Sequence, residues 1–168
     1  MQRVWKIIIA MVITAVVVGG GVYLWQKQTQ ISSEEERLKT VTDTSVGYTV
    51  KYPAAWFKVE RDNGFDVNPG VGGFGFTLRY YDASTNLKEE LISKIGYQAG
   101  TERSESRENI KVNGLEAVKV TVTTVPSTSE EPMRAIVFEG SGKIFILDDG
   151  ETADTEFEDF YKSFKLTN

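Results

Sequence analysis

Residues 143–149 read KIFILDD, and the four residues from Ile144 to Leu147 are all apolar. Successive side chains of an extended strand point to opposite faces, so both faces of this strand are apolar. Strands of this kind are covered by other elements on both sides. We therefore expect a central strand in a sheet that has helices on opposite faces.

Turn residues mark the strands on either side of this segment. Asn113-Gly114 separates NIKV from LEAVKVTVTTV, and the dipeptide is a strong hairpin signal because both turn positions need a positive φ. In the second strand, valines at positions 118, 120 and 122 alternate with polar residues, which predicts one buried face. Residues 133–140 (MRAIVFEG) predict a further strand, joined to 143–149 by a turn at 140–142.

Two more strands are predicted earlier in the chain. Apolar and polar positions alternate in residues 47–53 (GYTVKYP), and Pro53 ends this strand. Trp56 and Phe57 follow a corner and are expected to be buried. Residues 61–75 are rich in turn formers and are expected to form a loop. The strand that follows this loop places on one face Phe74, Phe76, Leu78 and Tyr80.

Two segments have the periodicity of an amphipathic helix. The first begins at Asn86, a favoured N-cap with Glu89 three residues later, and it ends near Gly96 or Gly100. Its apolar stripe consists of Leu87, Leu91, Ile92 and Ile95. The second helix closes the chain, and its stripe consists of Phe157, Phe160, Tyr161 and Phe164. About six antiparallel strands, linked by hairpins and packed with helices, predict the α+β class.

Residues 7–25 (IIIAMVITAVVVGGGVYLW) contain no charged side chain. A helix of about 20 apolar residues spans the core of a bilayer. Trp5 lies at one end of the run and Trp25 at the other, where aromatic rings favour the membrane–water interfaces. The run therefore predicts one transmembrane helix, followed by a polar linker at 26–46 and a globular domain at 47–168.

The charges around this run predict its orientation. Arg3 and Lys6 precede it, whereas Lys27 alone follows it before the acidic residues of the linker. Excess Lys and Arg stays in the cytoplasm, so residues 1–6 are expected inside and the domain is expected to be extracellular or periplasmic. A cleaved signal peptide is the alternative, but no A-x-A site is present and the run continues to Trp25. A lipoprotein is excluded, because the chain has no cysteine to carry the lipid.

The composition narrows the range of functions. The chain has no cysteine and no histidine, which removes thiol nucleophiles, the commonest general base and the commonest metal ligand. All 24 acidic residues and 16 of the 19 basic residues lie beyond Lys27, so residues 28–168 have a net charge of −8. A surface of this charge repels phosphate backbones, so nucleic-acid binding is not expected.

Three segments together resemble the PsbP-like domain, which is named for an extrinsic protein of photosystem II. They are Gly47–Trp56 (GYTVKYPAAW), Asn109–Gly114 (NIKVNG) and Phe157–Leu166, which ends in SFKL. The resemblance covers residues 47–166 and implies an antiparallel sheet sandwiched by helices. Metal ions in the photosystem protein are associated with histidines and acidic residues. Because this chain has no histidine, the resemblance transfers no metal or cofactor position.

Three patterns imitate functional motifs without the context that these motifs need. Residues 70–75 (GVGGFG) match G-x-G-x-x-G, yet they open a strand and do not begin a helix, so no nucleotide site is expected. Asp62, Asp66 and Asn68 imitate the start of a calcium-binding loop, but glycine stands where the bidentate glutamate is needed. Ser93-Lys94 is an adjacent pair on a helix, and such neighbours do not face one another.

An acidic cluster between the last strand and the last helix is a better candidate for a metal site. Its members are Asp148, Asp149, Glu151 and Asp154. Carboxylates and backbone carbonyls in this arrangement suit calcium at low affinity. The macrodipole also favours acidic residues in the first turn of a helix, and we prefer this explanation. No metal ion or other cofactor is therefore expected.

No nucleophile with a nearby base is evident, since Ser104 and Ser106 fall in an expected loop. The chain is therefore expected not to be an enzyme. The preferred interpretation is a membrane-tethered binding or assembly domain that holds a protein partner at residues 61–75 or 125–132. The alternative is a small-ligand or calcium-binding receptor domain at the cell surface, and an enzyme of unknown type is the third interpretation.

Overall fold

The computed structural model describes residues 37–70, 75–96, 102–125, 132–150 and 154–167. The chain divides into two compact units, Met1–Lys39 and Thr40–Asn168. Only residues 37–39 of the first unit are described, so the predicted span at 7–25 lies outside the described residues. Within the described ranges, no helix has the length and apolarity needed to cross a bilayer.

Ten strands and two helices are present in the described residues. In chain order they are β1 (Leu38–Asp43), β2 (Tyr48–Pro53), β3 (Phe57–Arg61), β4 (Gly64–Asn68), β5 (Phe76–Asp82), α1 (Leu87–Lys94), β6 (Glu102–Val112), β7 (Leu115–Val125), β8 (Met133–Gly140), β9 (Lys143–Asp148), α2 (Asp154–Ser163) and β10 (Lys165–Leu166). The six strands predicted from sequence correspond to β2 and to β5 through β9. The prediction of about six strands was too low, because β1, β3, β4 and β10 were missed.

Seven antiparallel strands form the main sheet in the order β3-β4-β5-β9-β8-β7-β6. β9 is the fourth strand in this order, and Leu147 is paired with Leu78 on one side and with Ile136 on the other. The prediction that residues 143–149 form a central strand is therefore confirmed. The strand is apolar on both faces because both faces of the sheet are covered at this position.

The first face of the sheet packs against α2 and β2, in what we call the α2 core. Aromatic rings fill it: the ring centroids of Phe76 and Phe160 lie 4.9 Å apart, and those of Phe138 and Phe164 lie 4.8 Å apart. The predicted stripe of α2, which includes Phe157 and Tyr161, is buried here. Burial of each large apolar side chain stabilises the fold by about 1.5–3 kcal/mol.

The opposite face of the sheet packs against α1, in what we call the α1 core. Ile92 of α1 and Ile95, which follows the helix, are buried in one cluster with residues of β7, β8 and β9 such as Val137 and Ile144. The two helices therefore lie on opposite faces of the sheet, as the sequence predicted. Together with the antiparallel strands, this arrangement confirms the α+β class.

A smaller sheet of three strands has the order β1-β2-β10. β10 pairs antiparallel with β2 through Lys165 opposite Thr49 and Leu166 opposite Tyr48. The alternation predicted for β2 is confirmed, because Tyr48 is buried in the α2 core and Lys51 is exposed. The small sheet thus joins the start of the domain to its end.

The predicted hairpin turns are also confirmed. Asn113 and Gly114 have φ values of 47° and 88°, as a two-residue turn with a positive φ at both positions requires. Ser141 and Gly142 repeat this geometry between β8 and β9, with φ values of 52° and 71°. These turns join β6 to β7 and β8 to β9.

Several local predictions were wrong. The expected loop at 61–75 contains β4, because the turn formers that reverse the chain are confined to residues 62 and 63 and the following residues alternate as a strand. Part of the expected linker at 26–46 forms β1, which is stabilised by the small sheet. Ser104 and Ser106 lie in β6 and not in a loop. Asn86 precedes α1 with a φ of 69° and makes no side-chain cap hydrogen bond.

Candidate functional site

The edge of the main sheet at β3 has the most exposed large apolar side chains of the described domain. β3 is the terminal strand of the sheet, and all five of its residues are exposed. Phe57, which the sequence predicted to be buried, is 64 % exposed, and Val59 is 42 % exposed. Neighbouring exposed apolar side chains make this edge the candidate contact surface of the described domain. We call Phe57–Arg61 the β3 edge.

Strand alternation distributes the side chains of the β3 edge between the two faces of the sheet. Val59 is paired with Asp66, and the two neighbours of Asp66, Phe65 and Val67, are buried in the α2 core. Phe57 and Val59 therefore lie on the α1 face. The α1 core contains no residue of β3 or β4, so α1 leaves this part of the face open.

A charged network lies beside the two exposed apolar side chains. Arg61 Nε donates a hydrogen bond to Asp66 Oδ2 at 2.6 Å, and Arg79 forms a second ion pair with the same carboxylate. Burial alone would raise the pKa of Asp66, but hydrogen bonds from Arg79 and Arg61 outweigh it and hold the pKa below its usual value. Asp66 therefore stays ionised and keeps two guanidinium groups on the surface next to Val59.

A polar cleft of about 260 Å³ lies on the other side of the β3 edge. Asp43, Tyr48, Lys58 and Glu60 are among the residues that line it. Asp43 Oδ1 accepts hydrogen bonds from the backbone N–H and the hydroxyl of Ser45 at 2.9 and 2.6 Å. Although burial opposes ionisation of Asp43, these and other hydrogen bonds lower its pKa. The cleft is therefore lined by groups of both charges.

Tyr48 is the most deeply buried polar side chain that lines this cleft. Burial raises the pKa of its phenol, and the negative charges of Asp43 and Glu60 raise it further, as does Tyr80. The hydroxyl therefore stays protonated at every physiological pH.

Two carboxylates of the acidic cluster predicted from sequence interact with different residues. The Thr77 hydroxyl donates a hydrogen bond to Asp148, and Arg134 forms a buried ion pair with Asp149. The side chains of Glu151 and Asp154 lie outside the described residues. In the part of the chain that the structure describes, no group of three or more acidic, cysteine or histidine residues is placed to hold a metal ion.

The other sequence patterns also have structural partners. The Asp66 carboxylate forms ion pairs with Arg61 and Arg79, and Asp62 lies in the turn between β3 and β4. The Ser93 hydroxyl donates to the carbonyl of Glu90 at 2.7 Å, so it does not face Lys94. Of residues 70–75, only the two end glycines are described, and Gly75 lies against the backbone of Val67.

No family model and no curated protein matches this sequence. The structure is similar to that of cyanobacterial PsbP (CyanoP) from Synechocystis sp. PCC 6803, with a TM-score of 0.60 and 14 % identity, over 77 % of this chain and 92 % of that one. The domain has a PsbP-like fold. A protein from Bacteroides thetaiotaomicron VPI-5482 is also similar, with a TM-score of 0.53 and 12 % identity, over 79 % of this chain and 49 % of that one.

The three segments that resemble the PsbP-like domain meet in the structure. The side-chain amide of Asn113 donates to the backbone carbonyls of Lys162 and Phe164 at 2.7 and 2.6 Å. The hydroxyl of Ser163 accepts a hydrogen bond from the backbone N–H of Lys51 at 2.8 Å. These bonds hold the end of α2 against the β6–β7 hairpin and β2. The segments therefore stabilise the PsbP-like fold, and the exposed surface at β3 lies outside all three.

The β3 edge is the feature that sequence reasoning missed. Its sequence, FKVER, alternates apolar and charged residues, which is the pattern of a half-buried strand. The pattern alone does not say whether the apolar side faces a core or solvent. In the structure, Phe57 and Val59 lie on the α1 face, in the part that α1 does not cover.

Proposed function

We propose that this chain is a single-pass membrane protein that displays its PsbP-like domain outside the cell membrane and binds a protein partner there. The uncharged run at 7–25 and the distribution of charge around it support this topology. The PsbP-like fold is compatible with a non-enzymatic binding domain. Because a fold does not determine a function, the binding proposal depends on the surface of the domain.

The β3 edge is the observation that carries the binding proposal. A terminal strand offers unpaired N–H and C=O groups to an extended segment of a partner. Phe57 and Val59 add apolar contact area beside these groups, and Arg61 is of a residue type enriched in interfaces. The partner surface proposed here therefore overlaps the loop expected at 61–75 only at Arg61, and residues 126–131 of the other expected loop lie outside the described residues.

Tethering suits a surface of this limited size. A domain held at the membrane meets other membrane-bound proteins at a raised effective concentration. Contacts that are too weak to persist in free solution are then occupied. We therefore propose an accessory role, in which the domain holds or helps to assemble a protein complex at the outer surface of the membrane.

Photocrosslinking in intact cells tests this proposal. A photoreactive phenylalanine analogue replaces Phe57 in the full chain, and the same analogue at exposed Glu116 is the matched control. We expect illumination to give a discrete crosslinked product from position 57 that position 116 does not give. We also expect Val59→Asp to reduce that product. Equal products from both positions, or a product that is insensitive to Val59→Asp, would contradict the proposal.

A small-ligand receptor is the second candidate, and the cleft beside Tyr48 favours it. The buried hydroxyl lines a polar cavity in which it can donate one hydrogen bond to a ligand. A compound that binds there is expected to raise the Tm of the wild-type chain in a thermal-shift screen and to raise that of Tyr48→Phe by much less. Equal shifts in both chains would place the ligand elsewhere.

A further inference from the structure

We propose that β3 pairs antiparallel with β3 of a second copy of this chain, about a two-fold axis at Val59. The pairing would join two seven-stranded sheets into one continuous sheet. This inference rests on the proposed function in using the β3 edge as the binding surface, and it names the partner as a second copy. Register, backbone geometry and charge each contribute to it.

The backbone geometry leaves two residues of β3 available for pairing. Arg61 and Gly64 close the β3–β4 hairpin around a two-residue turn, so they form a hydrogen-bonded pair. In an antiparallel ladder, hydrogen-bonded pairs alternate along the strand, so Val59 and Phe57 also direct their backbone groups toward β4. The N–H and C=O groups of Lys58 and Glu60 therefore point away from the sheet.

The side chains of this edge are complementary to themselves. Lys58 forms an ion pair with Glu60 within one chain, and with the two-fold axis at Val59 each of them also lies opposite the unlike charge of the other copy. Opposite charges placed directly across two strands stabilise the pairing, whereas like charges oppose it. A parallel arrangement in the same register would place Lys58 beside Lys58 and Glu60 beside Glu60. The charges therefore select the antiparallel arrangement.

The remaining cross-strand contacts fit the same register. Val59 meets its own copy in a non-hydrogen-bonded pair, the arrangement that brings two side chains closest. Phe57 lies opposite Arg61 of the second copy, and a guanidinium group packs favourably on an aromatic ring. The edge itself carries two positive charges and one negative charge, which counters the repulsion between two acidic domains.

An extended segment of a different protein is the competing occupant of this edge. It would form the same backbone hydrogen bonds, but nothing in the chain indicates its sequence. A second copy is favoured because its charges match this edge position by position. The contact is small, so it is expected to be weak in dilute solution and occupied when both copies lie in one membrane.

Cysteine substitution tests this register directly, because the chain has no cysteine of its own. The experiment uses the full chain in native membranes, oxidised and separated on a non-reducing gel. In the proposed pair, the Cα atoms of Val59 and its copy lie about 4.5 Å apart, within the range of a disulfide. Those of Phe57 and its copy lie about 13 Å apart, outside that range.

We expect Val59→Cys to form a covalent dimer about tenfold faster than Phe57→Cys and than the control Glu116→Cys. The double substitution Phe57→Cys with Arg61→Cys is expected to regain rapid crosslinking, because these positions oppose one another. Faster crosslinking of Phe57→Cys than of Val59→Cys would indicate a parallel or shifted pairing and overturn the proposal. Equal rates at all positions would overturn it as well.

Charge exchange supplies a second test that does not depend on disulfide geometry. Lys58→Glu and Glu60→Lys each place like charges opposite one another in a homodimer, and we expect each to weaken the pairing about tenfold. When the two variants are mixed, every pair between unlike chains is complementary, so crosslinking between them through Val59→Cys is expected to recover. Failure of the mixture to recover would contradict the pairing.

These outcomes are separable from failure of the proposed function. If Val59→Cys does not dimerise but position 57 still photocrosslinks to another protein, the binding role stands and the second copy is the wrong partner. If neither product forms, both proposals fail. If the photocrosslinked product is a dimer of this chain, the two proposals describe the same contact.

Discussion

Burial raises the pKa of Asp148, and the charge of Asp149 acts in the same direction. The Thr77 hydroxyl, the Gly150 backbone N–H and the charge of Arg79 oppose this shift without reversing it. The folded chain therefore binds the proton of Asp148 more tightly than the unfolded chain does. Binding of this proton therefore stabilises the folded chain fully below the unfolded pKa of about 3.9. The stabilisation is lost as the pH rises through the higher folded pKa.

We predict that Asp148→Asn raises the Tm of the protein at pH 7 by about 2–4 °C and that the gain disappears toward pH 3. The amide has no charge to desolvate, and its oxygen still accepts the hydrogen bond from Thr77. Thermal unfolding of both chains between pH 3 and pH 8 measures the difference. Asp82→Asn is the control, because that side chain is 90 % exposed. A gain that is constant with pH would contradict the assigned cause.

The acidic cluster shows which properties of single residues could be predicted from the sequence and which could not. The four carboxylates are visible as a local group, but their partners are distant in the chain. Thr77 is 71 positions from Asp148, and Arg134 is 15 positions from Asp149. Because sheet pairing alone brings these partners together, spacing could suggest a metal site but could not show that two of the carboxylates are already bonded.

At the scale of elements, those with a strong local signal were predicted and those that depend on distant partners were not. The two helices and the Asn113-Gly114 hairpin have periodicity or turn chemistry that does not depend on the rest of the chain. β3 and β4 have five residues each, and β10 has two. Strands this short depend on their neighbours in the sheet, so the brief alternation in β3 and β4 was not enough to predict them.

We predict that Phe160→Ala destabilises the domain by about 3–5 kcal/mol. The Phe160 ring is buried, lies 4.9 Å from that of Phe76 and meets that of Phe65 edge-on at 6.5 Å, so truncation leaves a cavity between α2 and the sheet. Urea unfolding followed by tryptophan fluorescence measures the change. Asp159→Ala, on the exposed side of the same helix, is expected to leave the midpoint unchanged. Equal effects of the two substitutions would mean that α2 does not depend on this packing.

At the scale of the whole molecule, the fold could be inferred from three short segments, whereas the function could not. The segments are informative because they contact one another at the end of α2, so the fold itself constrains them. The β3 edge lies outside them and is free to differ between proteins that share the fold. The PsbP-like fold therefore predicts which residues form the core. The binding surface has to be inferred from which side chains are exposed.

We predict that the domain lies outside the membrane and the N-terminus inside. Glu116→Cys supplies a single exposed thiol in a chain that has none, and a membrane-impermeant maleimide is expected to label it in cells stripped of any outer envelope. Gln2→Cys is the control and is expected to react only after lysis. Labelling of position 2 but not of position 116 in intact cells would show the opposite topology.

The pairing of β10 with β2 has a consequence for biosynthesis. The Lys51–Ser163 hydrogen bond joins residues 112 positions apart, and Phe164 closes the core around Tyr48. A nascent chain cannot complete this core until residues 157–166 have left the ribosome, because early strands must wait for late ones. A product that stops before residue 154 would leave the aromatic side of the main sheet exposed. Quality-control proteases would then distinguish finished chains from unfinished ones by the same surface that α2 covers.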